Sequence, residues 1–115
     1  TVNYEPLKEN CEFGDFMKMD FRTGTVTAAE KMKKAKKLLK LTVDLGFETR
    51  TIVSGIAEFY SPEEVVGQEV VVVANLAPKK LRGVESQGMI LMAENEEGRL
   101  AFVGAKDFGN GWTVR

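Results

Sequence analysis

The residues able to do chemistry in this chain are few and unevenly placed. Positions 31–40, KMKKAKKLLK, hold six lysines and no acid. A second basic group, Lys79, Lys80 and Arg82, follows much later. Such clusters attract polyanions, because screening confines an exposed charge to roughly 10 Å and local density then outweighs the sum. The sum itself is only −1. The bland alternative is that a lysine run is no more than a solvated face. Catalysis has little to work with. The chain has no histidine, which removes Ser-His-Asp and Cys-His nucleophile activation and every histidine-containing metal site. Cys11 stands alone in a polar stretch without a base, so nothing activates its thiol. One cysteine also means no internal disulfide, which suits a reducing cytoplasm. Ser54 and Ser86 have no base beside them, but either hydroxyl could donate a hydrogen bond to a phosphate or a nucleobase. Gly109-Asn110-Gly111 lacks the lysine and further glycine of a phosphate-cradling loop. No metal and no cofactor are expected, and the chain by itself is not expected to be an enzyme.

These side chains need elements to hold them. A chain of 115 residues and 12.8 kDa fits one domain, and its 43% hydrophobic and 29% charged residues are those of a globular one. No apolar run reaches the roughly 18 residues of a membrane span. Residues 1–12, TVNYEPLKENCE, show no period and read as a polar tether to a domain at 13–115. The acidic, polar start lacks the basic-then-apolar pattern of a signal peptide, so no leader is expected and a cytoplasmic location is. The first residue is not methionine, so an excised piece of a longer protein is expected.

Phe13 and the GDFMKM that follows it, 13–19, could make one helical turn with Asp15 as its cap. From Phe21, FRTGTVTAAE is strand-like, with Gly24 as the place for a bulge or bend. In KLLKLTVDL, 37–45, Leu39, Leu41, Val43 and Leu45 alternate with polar residues, the period of a half-buried strand. Gly46 and ETRTIVSGI complete a hairpin over 37–56. YSPEEVVG, 60–67, is a helix with Ser61 as N-cap, Pro62 in the first position and Glu64 closing a capping box, with Tyr60 and Val65 at staple positions. That pattern explains the adjacent Glu63 and Glu64 without an acid–base role. Gln68 to Ala74 reads as a strand buried on both faces, 75–88 as a long polar connection, and MILMA at 89–93 as a fifth strand. RLAFVG and WTVR add short terminal strands.

Five strands with one helix between the third and fourth is the order of an all-β, five-stranded Greek-key barrel, the OB-fold, here with extra terminal segments. OB barrels bind oligonucleotides on the face of strands 2 and 3 and through the loops joining strands 1–2 and 4–5. The lysine run falls in the first of these loops and the second basic group in the other. Convergence in the fold favours the polyanion over the solvated face. Aromatic stacking, a common contributor to single-strand binding, is missing from both basic segments; the candidates are Phe47, Phe59, Tyr60, Phe102 and Trp112.

DFRTGTVTAAE, KLLKLTVDLG, RTIVSGI, YSPEEVVG and VVVANLAPKKLRGVESQGMIL, in this order and spacing, resemble the tRNA-binding domain at the C-terminus of bacterial methionyl-tRNA synthetases and its free-standing counterpart. The resemblance covers residues 13–115. It implies the OB barrel, a homodimer, and tRNA held by shape and backbone more than by sequence. It carries over Lys37, Lys40, Arg50, Asn75, Lys80, Ser86 and Met89 as groove residues; Lys33, Lys34, Lys36, Lys79 and Arg82 join them on charge and placement. GVESQGMIL is of the synthetase type rather than that of the related secretion chaperone, although a chaperone or protein-interaction module of the same fold is the rival function. Large apolar residues outside the five strands, among them Phe13, Phe16, Met17, Leu100, Phe102, Phe108 and Trp112, point to a surface covered by the barrel's own end or by a second chain.

Overall fold

The computed structural model describes all of residues 1–115. A single helical turn, α1 (Phe13–Met17), leads into the strands β1 (Phe21–Met32), β2 (Ala35–Asp44) and β3 (Thr49–Ser54). Helix α2 (Pro62–Val65) and strand β4 (Glu69–Val73) follow. The rest is short strands: β5 (Lys79–Leu81), β6 (Val84–Ser86), β7 (Met89–Ile90), β8 (Met92–Glu94), β9 (Leu100–Phe102) and β10 (Thr113–Val114). Neither helix is long enough to cross a membrane.

The main sheet runs β3–β2–β1–β4–β7, antiparallel throughout, with β10 added to the start of β1. β1 serves two neighbours: Phe21–Thr25 pair with β4 and Thr25–Met32 with β2. A bulge at Thr27, where the register shifts between Val26 and Ala28, lets one strand turn that corner. The bend is not at Gly24. That residue is buried, and a β-carbon there would come within 3.0 Å of the Leu45 and Val43 side chains, so its missing side chain serves close packing. The seam between β3 and the β6–β7 segment is bridged by Gln87 N–H donating to Thr51 O (2.8 Å), Thr51 N–H to Gln87 Oε1 (3.0 Å) and Val53 N–H to Ser86 Oγ (2.9 Å). These bonds link the two ends of the sheet, in the strand order of an OB-fold with its helix between the third and fourth strands.

Alternation in β2 buries Leu39, Leu41 and Val43 completely, and Leu45 continues the row. Val70 to Ala74 are all buried, as a strand with neighbours on both faces requires. The α2 capping box is complete: Glu64 N–H donates to Ser61 Oγ (3.4 Å) and Ser61 N–H to Glu64 Oε1 (2.8 Å). Val65 is buried in the core, but Tyr60 does not simply staple it. The Tyr60 hydroxyl donates to Leu100 O (2.7 Å) and its ring lies 4.8 Å from that of Phe102. The cap of α1 is Glu12 rather than Asp15, which lies inside the turn.

Two segments depart from the sequence expectation. Residues 75–88 are not simply a connection: β5 and β6 form a hairpin of their own, closed by Arg82 (φ 49°) and Gly83 (φ 84°). Two successive positive φ values make the primed turn whose twist matches the flanking strands. MILMA is two strands: β7 finishes the barrel beside β4, and β8 leaves to pair with β9. Gly88 sits at the exit of the new hairpin with φ 132°, and a β-carbon there would lie 2.8 Å from Val73 O. Gly88→Ala is therefore expected to cost about 2–3 kcal/mol, seen as a lower denaturation midpoint with an unchanged m-value.

Candidate nucleic-acid interface

The β1–β2 hairpin carries its lysines outward. Lys31 pairs with Leu39, yet the next pair is Met32 with Ala35, so Lys36, Lys37 and Leu38 are looped out as extra residues on β2. With Lys33 and Lys34 in the turn, this gathers five lysines at the tip, Lys31, Lys33, Lys34, Lys36 and Lys37, all exposed. Lys40 stands below them on the outer face of β2, with Glu30 opposite it; the ammonium and carboxylate are 3.6 Å apart. Lys31 belongs to this tip as fully as its neighbours do, although the sequence-based selection left it out.

The second hairpin presents Lys79 and Lys80 on β5 and Arg82 in the turn, again all exposed. Its position follows from register. Glu30 pairs with Lys40, Lys40 with Val53, Val53 N–H reaches Ser86 Oγ, and Ser86 pairs with Lys79. β1, β2 and β3 run antiparallel across this row, as do β5 and β6. At the seam Ser86 sits beside Val53 and Gln87 beside Thr51, so β6 runs opposite to β3. The tip at 33–34 and the turn at 82–83 therefore project past it on the same side, and two basic clusters remote in sequence share one end of the barrel.

Of the four other predicted residues, Arg50, Asn75 and Ser86 differ from the lysines in being hydrogen-bonded within the chain through their side chains, and Met89 does not. Arg50 is three residues along β3 from Val53, about 10 Å. It pairs with Val43 on the inner face. Its Nε donates to Glu48, and its Nη1 to Ala74 O and to Gln87 O (3.0 Å), leaving Nη2 without a protein partner. Asn75 Oδ1 accepts from Asp20 N–H (2.8 Å) and Nδ2 donates to Lys18 O (2.7 Å), tying the start of β1 to the end of β4. Ser86, 4% exposed, accepts from Val53 and donates to Gly88 O (3.1 Å). Met89 is 47% exposed beside Val73. The polar groups of Arg50, Asn75 and Ser86 thus hold the barrel together, while the lysines and Met89 remain open. Gln87, which no sequence signal marked, sits at the centre of this network.

Of the aromatic candidates, Tyr60 and Phe102 pack on each other, and Phe47 lies under the Arg22 guanidinium at 5.2 Å. Phe59 and Trp112 are exposed, but neither stands on a basic hairpin. A surface of many cations without stacking rings suits phosphates rather than bases.

Comparison with known proteins agrees with this chemistry. The model of the family described as "Putative tRNA binding domain" matches residues 21–111. The chain belongs to this tRNA-binding domain family. A methionine–tRNA ligase of Flavobacterium johnsoniae is 62% identical over 111 residues, covering 96% of this chain and 16% of the ligase. One from Bacteroides fragilis is 58% identical over 104 residues, covering 89% and 15%. The tRNA-binding domain thus spans under a fifth of the length of these relatives. Among solved structures, a methionyl-tRNA-synthetase-related protein from Pyrococcus horikoshii superposes with a TM-score of 0.87 at 44% identity, over 94% of this chain and all of that one. The chaperone CsaA of Bacillus anthracis superposes with a TM-score of 0.84 at 29% identity, over 93% and 100%.

Proposed function

We propose that this tRNA-binding domain is a non-catalytic C-terminal appendage of a methionyl-tRNA synthetase, acting in the cytoplasm to strengthen the enzyme's hold on tRNA. The observation that carries the proposal is the meeting of two basic hairpin tips at one end of the barrel, without stacking rings. Such a surface grips a folded RNA by its phosphates. The ligase relatives, matched over nearly all of this chain but a small part of their own, support the appendage. A free-standing tRNA-binding protein is the second form of the same activity, supported by the match over the whole solved chain of the Pyrococcus horikoshii protein. In either form the domain is proposed to work as a homodimer through its terminal segments.

Engagement of roughly four to six phosphates gives a slope of log K against log[salt] of roughly −3 to −5. A titration of the domain with tRNA at several salt concentrations checks this, and binding indifferent to salt would rule the proposal out. The likeness to CsaA supports one rival, a peptide-binding module on the same scaffold. Parallel titration with an unfolded polypeptide separates the two, since tRNA is expected to bind and the polypeptide is not.

A further inference from the structure

The hairpin β5–β6 pairs with no other strand, and its two strands of three residues each are too short to be stable alone. Its cations are exposed, and its apolar residues Leu81 and Val84 are only half-buried. What ties it to the barrel is the seam. The N–H groups of Thr51 and Val53 face away from β2 toward the hairpin, where a paired strand would offer backbone carbonyls. They meet side chains instead: Gln87 Oε1 accepts from Thr51 (3.0 Å) and Ser86 Oγ from Val53 (2.9 Å). Only Gln87 N–H, donating to Thr51 O (2.8 Å), makes a backbone bond across this line. Arg50 Nη1 adds a hold on Gln87 O at 3.0 Å.

We infer that Ser86 and Gln87 are positioning residues that lock the basic hairpin onto β3, fixing where Lys79, Lys80 and Arg82 meet the RNA backbone. This role rests on the phosphate-based tRNA binding proposed above. The hydroxyl of Ser86 is buried with one hydrogen bond accepted and one donated, so it acts on RNA through the hairpin and not by touching it.

A double-mutant cycle on tRNA binding tests this, with Gln87→Ala as one arm and the joint change of Lys79, Lys80 and Arg82 to alanine as the other. Gln87→Ala removes the acceptor for Thr51 N–H but keeps the backbone bond from Gln87 N–H to Thr51 O. Circular dichroism with the denaturation midpoint checks that the variant is folded before its binding is read. Neutralising the hairpin is expected to flatten the salt slope by about 2 to 3, and Gln87→Ala by about 1, since fewer phosphates are then engaged. Combined, the changes are expected to be no worse than hairpin neutralisation alone. Ser86→Ala should behave like Gln87→Ala, and Ser86→Thr, which keeps the hydroxyl, should restore the slope. Additive losses in the cycle would overturn the inference, as would a wild-type slope in Gln87→Ala. So would an Ser86→Ala variant that loses affinity in the neutralised background, because that is the signature of direct contact. Wild-type binding with no salt dependence would instead overturn the phosphate-based function itself.

Discussion

Changing Lys37 and Lys40 together to alanine is expected to weaken tRNA binding roughly tenfold to a hundredfold at low salt and to flatten the salt slope by about 2. The two side chains sit differently: Lys37 has no ion-pair partner, and Lys40 is paired with Glu30 at the surface. Lys37 lies in the looped-out stretch of β2, where its carbonyl accepts from Ala57 N–H (3.1 Å) while its side chain is exposed. Lys40 shares the outer face with Val53, its cross-strand partner, and faces the Glu30 carboxylate at 3.6 Å. That ion pair is open to solvent, with side chains 40% and 67% exposed, so its loss costs at most about 1 kcal/mol of stability. Removing Lys40 also leaves Glu30 unneutralised beside the phosphates, which adds repulsion to lost attraction. Glu30→Gln in the wild-type background should accordingly tighten binding. Lys106 provides the control: it lies near Gly104 and Gln68, on neither hairpin, and Lys106→Ala is expected to leave the slope unchanged. Fluorescence anisotropy with labelled tRNA at three or more salt concentrations reads all of these. A double variant with the wild-type slope would reduce the lysine run to a solvated face.

Local chemistry made much of this fold legible in advance. The alternation of Leu39, Leu41 and Val43 announced β2, the capping residues Ser61 and Glu64 announced α2, and the valine run announced β4. Each signal lies within a few residues of what it specifies. The hairpin in 75–88 escaped because its strands are three residues long and its turn begins with Arg82, a residue that rarely takes positive φ. The bulge at Thr27 escaped because a glycine nearby is the more obvious place to bend. At the site the lysines were legible as charge, and their convergence was legible once the strand order pointed to an OB-fold. Arg50, Asn75 and Ser86 were harder. An arginine, an asparagine and a serine in polar segments fit RNA contact by type. Arg50 and Ser86 each have one partner two residues away, Glu48 and Gly88. The bonds that tie Arg50, Asn75 and Ser86 across the barrel reach Ala74, Lys18 and Val53, which lie 24, 57 and 33 residues away, beyond any local pattern.

A homodimer is the other large effect expected, and the structure divides the apolar residues that motivate it. Leu100 and Phe102 are covered by their own chain, packed against the core with Tyr60. Phe16, Met17 and Trp112 are not; they are 41%, 57% and 58% exposed. Phe13 and Phe16 stack toward Phe21, with ring centroids 6.4 and 5.7 Å apart in turn, and Phe16 and Met17 border a cleft with Arg22 and the β10 residues. Arg22 extends the surface by lying over Phe47 while its Nη1 donates to Gly111 O (3.2 Å), next to Trp112. Clustered exposed rings of this kind on a small domain are what a second chain is expected to cover. A two-fold particle would cover them and carry two basic ends, raising avidity where one tRNA meets both. Light scattering at micromolar concentration is expected to give twice the 12.8 kDa of one chain. Met17→Glu and Trp112→Glu, each placing a charge on an exposed position, should yield folded monomers that bind tRNA more weakly. A wild-type mass of one chain would dispose of the dimer, whereas a dimer persisting in both variants would move the interface away from this face.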